Sequence, residues 1–443
     1  MSISSVFGFP VPLRLHSQNM LSLFKFPILA ASAVLAADIF VSTDGSNSGS
    51  GSISSPYLSI QDAVNAVTPG DTIRIRGGTY KPSENISFRK SGTSSAPYTV
   101  RAHDGEEVIL DGDNLFGTPV EEYEGSLPSS KRGIFHIRGA DYWRFYNLTF
   151  TKGPYGLYVE DSSNNYFERI TTHTNYESGM HLQNSISNTE VVFLDSYFNF
   201  DPRKNGRSAD GISLKEGSGD GNIIRGARIW HNSDDGIDLW QFGSSVTIMD
   251  CVVFENGFDR WDVGSKHEAD GHGVKLGGGS SASDRTPVDH VIKNVISFGN
   301  KRRGFTDNNM PGDMTFERNT AYKNGEEGFN TRSSSATYTS NLAAENFGTT
   351  DADDQYYFIA GVTSTGNSWD NGQTWSDASF VTVDADLITG SRAADGRLPA
   401  NDFLVPVDGE DLGARVNDWA AGDASLSGAS AQLTEPLTDP IGY

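Results

Sequence analysis

Asn232-Ser-Asp-Asp-Gly-Ile-Asp-Leu-Trp240 decides how this chain is read. Its centre is a glycine followed by apolar, variable, apolar, and that unit recurs. Gly156-Leu-Tyr-Val, Gly179-Met-His-Leu and Gly211-Ile-Ser-Leu precede Gly236-Ile-Asp-Leu. Gly273-Val-Lys-Leu follows it, and Gly304-Phe-Thr and Gly328-Phe-Asn continue with a degraded fourth position. Successive glycines lie 23, 32, 25, 37, 31 and 24 residues apart, a base period of 23 to 25 with insertions. A period of that length marks a solenoid, whose units bury their apolar sides only against one another.

A second register runs through Asn175, Asn199, Asn232, Asn256, Asn300, Asn324 and Asn346, with a short β-type run before each, as in Ala227-Arg-Ile-Trp-His-Asn and Val295-Ile-Ser-Phe-Gly-Asn. Asparagine tolerates left-handed turns, and asparagines stacked on successive coils can hydrogen-bond as a ladder. Several short strands per unit suit an all-β fold, a parallel β-helix; the signatures of leucine-rich and propeller repeats are absent. Ser59-Ile-Gln-Asp-Ala-Val-Asn-Ala-Val67 has apolar residues at helical spacing behind a serine cap, which predicts a short helix closing the N-terminal end.

The chain has 443 residues, 48 of them glycine, and a formal net charge of −23. Such acidity argues against nucleic acid and anionic membranes as partners. It also opposes an acidic polysaccharide unless a cation or a local basic patch intervenes. Met20-Leu-Ser-Leu-Phe-Lys-Phe-Pro27 and the apolar run ending Ala33-Val-Leu-Ala-Ala37 read as a secretory signal, with Met20 as an alternative start. The run is too short to span a membrane. The expected organisation is a signal at 1–37, a β-helix domain at 38–405, and an Ala/Gly/Asp/Ser-rich segment at 406–443 serving as cap or loosely packed tail. A secreted monomer is expected. Cys251, the single cysteine, allows no internal disulfide and reads as a buried thiol. Asn85 and Asn147 stand in N-x-Ser/Thr sequons, compatible with a secreted glycoprotein.

Side chains alternate along a strand, so both apolar residues of each unit face the core and the variable one faces solvent. Down the coils that position reads Tyr158, His181, Ser213, Asp238, Lys275, Thr306 and Asn330. Adjacent coils lie about 4.8 Å apart, which makes Asp238 and Lys275 neighbours. The residue before the glycine forms another column, with Asp210 and Asp235 one coil apart and Asp234 beside them. Four acids in one patch repel unless a hard cation sits among them, and calcium takes six to eight oxygens in flexible geometry. Lys275 can be a simple ion pair to these acids. Beside a divalent cation its pKa should fall, and a neutral lysine is a competent general base. Long insertions at 201–207, around 261–268 and at 280–289 are expected to wall a cleft over these coils. Lys204, Arg207, Lys215, Arg302 and Arg303 gather there as a track for an anionic chain. His267, His272 and Trp261 are left between substrate contact and loop packing.

Ala209-Asp-Gly, Asn232 to Trp240, Gly271-His-Gly-Val-Lys-Leu-Gly277 and Phe298-Gly-Asn-Lys-Arg-Arg-Gly-Phe305 together resemble the polysaccharide lyase family 9 pectate lyases. Pro69-Gly-Asp followed by Gly-Gly-Thr-Tyr80 near the start, and Arg392-Ala-Ala-Asp-Gly-Arg-Leu-Pro399 near the end, extend the resemblance over most of 38–405. It implies a right-handed parallel β-helix and a calcium-dependent lyase acting on polygalacturonate. It carries the Ca2+ ligands onto Asp210, Asp234, Asp235 and Asp238, and the base onto Lys275, where related lyases use arginine. Two other readings compete. A polygalacturonase-like hydrolase is superficially matched by Asp234-Asp235 and Gly271-His-Gly273, but the Arg-x-Lys segment it expects is absent. A non-catalytic carbohydrate-binding solenoid would keep its full activity without Lys275.

Overall fold

The computed structural model describes residues 36–118, 127–347 and 355–420, apart from 360 and 371. The expected signal segment lies almost wholly outside these residues, as do residues 421–443. The described chain is a parallel β-helix. In its middle each coil contributes three short strands. Asn222–Arg225, Arg228–Trp230 and Ile237–Asp238 make one coil, and they pair in parallel with Val246–Met249, Val252–Phe254 and Val274–Lys275 of the next. The glycine units form one continuous sheet of ten strands, and the other two strands of each coil join a sheet of twenty. Ile60–Ala66 is the expected helix. Ser59 caps it by accepting from Asp62 N at 3.3 Å, and Ile60, Ala63 and Val64 are buried against the first strands.

The repeat glycines are needed for room rather than for a special backbone angle. A Cβ on Gly236 would stand 2.2 Å from Val253 Cγ1, and one on Gly273 would stand 2.0 Å from Ser297 Oγ and 2.7 Å from Asn300 Nδ2. The asparagines crowd this corner because they form a buried ladder. Each Nδ2 donates to the Oδ1 of the next, at 3.0 Å from Asn175 to Asn199, 2.7 Å to Asn232, then 3.0, 3.0, 3.0 and 2.9 Å up to Asn346. The left-handed residue of each turn is the one before the asparagine, among them Phe198, His231, Glu255 and Lys323. The asparagines therefore serve the ladder through their amides, not through tolerance of positive φ. Asn256→Leu removes two rungs and strands buried partners on Asn232 and Asn300. At about 1–3 kcal/mol for each unsatisfied group, the urea midpoint is expected to fall by the equivalent of about 2 kcal/mol or more.

One outer face carries a stack of aromatic rings. Tyr197 lies 4.4 Å from Trp230 by ring centroids, and Phe254 lies 4.8 Å from Phe298, all nearly parallel. The C-terminal segment covers this face with Trp375, Phe380, Leu398, Phe403, Val416 and Trp419, all buried. Residues 406–420 thus belong to the cover. Asp195 clasps it. Its carboxylate accepts from Arg228 Nη2 at 3.0 Å and Arg392 Nη2 at 2.8 Å, and Arg228 also donates to the carbonyls of Ile388 and Gly390. Burial works against the Asp195 charge, but the two guanidiniums hold its carboxyl below the usual range. Cys251 is fully buried, and burial pushes its thiol up to about 12. Asn85 Nδ2, the atom a glycan would take, donates to Ser130 O at 2.9 Å, and Asn147 Oδ1 is buried.

Candidate active site

The register of the ten-stranded sheet aligns the variable column: Tyr158 with His181, His181 with Ser213, Ser213 with Asp238, Asp238 with Lys275 and Lys275 with Thr306. These side chains leave the core but do not reach open solvent. Asp238 is 1% and Lys275 8% exposed. The expectation of a solvent-facing column is corrected by the insertions, which roof it. Asp201–Arg207 brings Lys204 and Arg207 to the rim of a cleft of about 410 Å³, and the 257–270 insertion brings Asp270. The two loops pack together, with Trp261 stacked on Phe200 at 4.7 Å and Glu268 N donating to Asn205 O. Trp261 therefore serves loop packing, and His272 is buried with its Nδ1 accepting from Arg303 N at 3.3 Å. His267 lies against Gly206, its Nε2 buried without a hydrogen bond among the described residues. The 280–289 insertion lines no part of the cleft. It turns toward the neighbouring sheet, where Ser245 Oγ donates to Asp289 O and Asp313 N to Asp289 Oδ1.

Asp210, Asp235 and Asp238 present oxygens within 4.8 Å of one another, and so do Asp234, Asp235 and Asp270. Two lysines reach in. Lys275 Nζ lies 2.7 Å from Asp235 Oδ2, 3.4 Å from Asp238 Oδ2 and 3.7 Å from Asp270 Oδ2. Lys215 Nζ lies 2.7 Å from Asp210 Oδ2 and 2.6 Å from Asp238 Oδ2. Backbone groups fix the rest: His272 N donates to Asp235 Oδ1 at 2.7 Å and Asp270 N to Asp234 Oδ1 at 2.8 Å. Asp270 escaped the sequence reading because it ends an insertion, off the repeat columns. Its one signal is its place just before Gly271-His272-Gly273.

Burial dominates the titration of this cluster. It pushes the Asp210 carboxyl up to about 7, with Asp238 and Asp235 adding repulsion against the pull of Lys215. It pushes Asp235 up to about 6 and Asp234 well above the carboxylate range. Asp238 goes the other way, because Lys215 and Lys275 overcome its burial. Burial also disfavours charge on Lys275, yet Asp235, Asp238, Asp234 and Asp270 outweigh it and hold the ammonium well above its ordinary value. The acids alone thus keep Lys275 protonated, opposite to the shift expected beside a divalent cation. Five carboxylates face two ammonium groups here. Asp210 Oδ1 is buried with no hydrogen-bond donor among the described residues. Hard oxygen donors, surplus negative charge and an unpartnered carboxylate oxygen fit a calcium ion.

The other basic residues separate. Arg302 and Arg303, expected on the substrate track, are not among the side chains that line the cleft. Arg302 is taken up by Asp270 at 2.6 Å and Glu326 at 2.9 Å, and Arg303 by Glu326 at 3.0 Å and Glu327 at 2.8 Å. Lys204 lines the cleft while paired with Glu177 at 3.4 Å.

The family model described as "Pel9A-like, right handed beta helix region" matches residues 39–346. Pectate lyase PEL9 of Emericella nidulans is 51% identical over 407 residues, covering 88% of this chain and 97% of its own. Pectate lyase L of Dickeya dadantii is 33% identical over 85% of this chain and 88% of its own. Among solved structures, that of pectate lyase Pel9A superposes with a TM-score of 0.71 at 32% identity, covering 84% of this chain and 90% of that one. With the repeat, the acid columns and Lys275 all in register, the chain belongs to the Pel9A-like right-handed β-helix family, polysaccharide lyase family 9, and is a polysaccharide lyase of the pectate lyase kind.

Proposed function

We propose that this chain is a secreted pectate lyase that cleaves polygalacturonate by calcium-assisted β-elimination, with Lys275 as the base. The observation that carries the reading is Lys275 Nζ lying among Asp235, Asp238 and Asp270 on the floor of a cleft, in an acid cluster whose Asp210 Oδ1 has no partner among the described residues. Asp210, Asp234, Asp235 and Asp238 would hold calcium. A bound calcium would supply positive charge to the uronate C6 carboxylate and to the negative charge that develops when C5 loses its proton. Lys275 takes the C5 proton onto its amine, for which it must first be neutral. The electron pair of that C–H bond becomes the C4–C5 double bond, the C4–O bond breaks, and the leaving oxygen takes a proton from water. Lys215, bound to Asp210 and Asp238 at the cleft floor, is placed to meet the substrate carboxylate. A cation among the acids also explains how so acidic a chain can hold an acidic polymer. Secretion and a monomeric state rest on the 20–37 segment and the charge. No described helix is long and apolar enough to cross a membrane.

The test follows ultraviolet absorbance of the 4,5-unsaturated product on polygalacturonate and on methylated pectin, with calcium and with chelator. Absorbance that appears on polygalacturonate and vanishes with chelator is expected. Reducing ends without absorbance, indifferent to calcium, would instead mark a hydrolase.

A further inference from the structure

The cleft extends beyond the acids. Its lining runs back along the sheet, through His181, to Tyr155 and Arg132. Tyr158 stands three strands before Asp238 in the ladder, about 14 Å at the ordinary strand spacing. A group there meets a different sugar from the one at Lys275.

Arg132 is held differently from the guanidiniums of Arg203, Arg228 and Arg392. Arg228 and Arg392 share Asp195, and Arg203 is paired with Glu177 at 2.9 Å. No carboxylate among the described residues comes within ion-pair distance of Arg132. It is held instead by neutral acceptors, Nε donating to Leu127 O at 3.3 Å and Nη1 to Tyr158 Oη at 3.0 Å. The guanidinium also lies 5.4 Å over the Tyr158 ring. That ring is itself fixed, stacked on His181 at 5.2 Å and 2°, with its hydroxyl donating to Gln183. A guanidinium has five N–H donors. Among the described residues two are engaged, and the rest find no acceptor on a side chain that lines the cleft. A rigid planar fork suits a carboxylate through paired, charge-assisted hydrogen bonds.

Resting on the lyase reading above, we propose that Arg132 binds a free uronate carboxylate at a distal subsite and selects stretches of polymer that are unesterified several sugars away from the bond cut. A methyl ester there removes the acceptor charge and leaves the guanidinium without a partner.

The experiment compares wild type, Arg132→Gln and Arg132→Lys on defined oligogalacturonates of increasing length at saturating calcium. Arg132→Gln is expected to raise KM roughly tenfold or more on long oligomers. The effect should fall in KM rather than kcat, grow with chain length, and be partly restored in Arg132→Lys. A loss of equal size at every length, or one that tracks a fall in thermal stability, would show a structural role and overturn the proposal. Calorimetric binding of the same oligomers to Lys275→Ala, with and without Arg132→Gln, separates this from the reaction itself. If wild type forms no unsaturated product, the lyase reading fails. Affinity for long oligomers that is unchanged by Arg132→Gln overturns the subsite.

Discussion

Lys275→Ala is expected to slow release of unsaturated product from polygalacturonate by about 10²- to 10⁴-fold, the usual contribution of a positioned general base. The side chain is buried at the cleft floor and reaches Asp235 and Asp238 directly. No other amine among the described residues is placed alike: Lys215 meets the same Asp238 oxygen but is committed to Asp210 as well. The substitution also removes a positive charge that competes with a bound cation. Calcium-induced thermal stabilisation should therefore persist or grow in the variant while turnover is lost. Parallel measurement of product absorbance and of melting temperature against calcium checks both halves. A variant that turns over at the native rate would remove Lys275 from the chemistry. One that loses activity together with its calcium response would make it a support for the acids.

The second large effect is the pH dependence of chelation. Burial raises the folded-state pKa of Asp210 to about 7 and of Asp235 to about 6, from 3.8, and holds Asp234 well above its ordinary value too. Their protonation favours the folded state below about pH 4, and that contribution is lost as pH rises through 6 and 7. Asp238, whose pKa is lowered, has the opposite sign, but its contribution is already complete above its ordinary value and changes little in this window. The chelated protein should thus lose stability from pH 5 to pH 8. Calcium binds the deprotonated acids, so its stabilisation grows over the same range, to about 2.7 kcal/mol at a hundredfold excess over Kd. Melting curves with calcium and with chelator should lie close together near pH 5 and far apart near pH 8. A gap independent of pH would place the ion away from these acids. Activity should vanish on chelation at pH 8 and return with calcium, not with magnesium, whose rigid octahedral shell suits this crowded set poorly.

Much of this site could be read from the chain because a solenoid turns sequence period into spatial adjacency. Once the glycine units were aligned, strand alternation made Asp238 and Lys275 neighbours and stacked Asp210 on Asp235, and the structure places them so. The ladder was legible for the same reason. What lay off the period was not. Arg132 sits in a connection outside the repeat units, and Asp270 at the end of an insertion whose path no register fixes. Burial of the column depended on how far those insertions fold over it. Arg302 and Arg303 are instructive in the other sense. Glu326 and Glu327 follow them by 24 residues, one coil of the repeat, so the ion pairs that withdraw both arginines were already implied by the period.

The aromatic stack and its cover have a consequence for biosynthesis. Tyr197, Trp230, Phe254 and Phe298 leave the ribosome well before the residues that shield them, which begin at Trp375. Coils can add to the growing helix one at a time. Throughout that growth a ridge of stacked rings stays bare, the sort of surface that nascent chains aggregate through and chaperones hold. Only when Arg392 has joined Arg228 on Asp195 and the cover has run on through Phe403 to Trp419 is the ridge sealed. Solubility is therefore the last property this chain acquires, and a transcript truncated before residue 375 should yield ordered coils that precipitate rather than a smaller soluble enzyme.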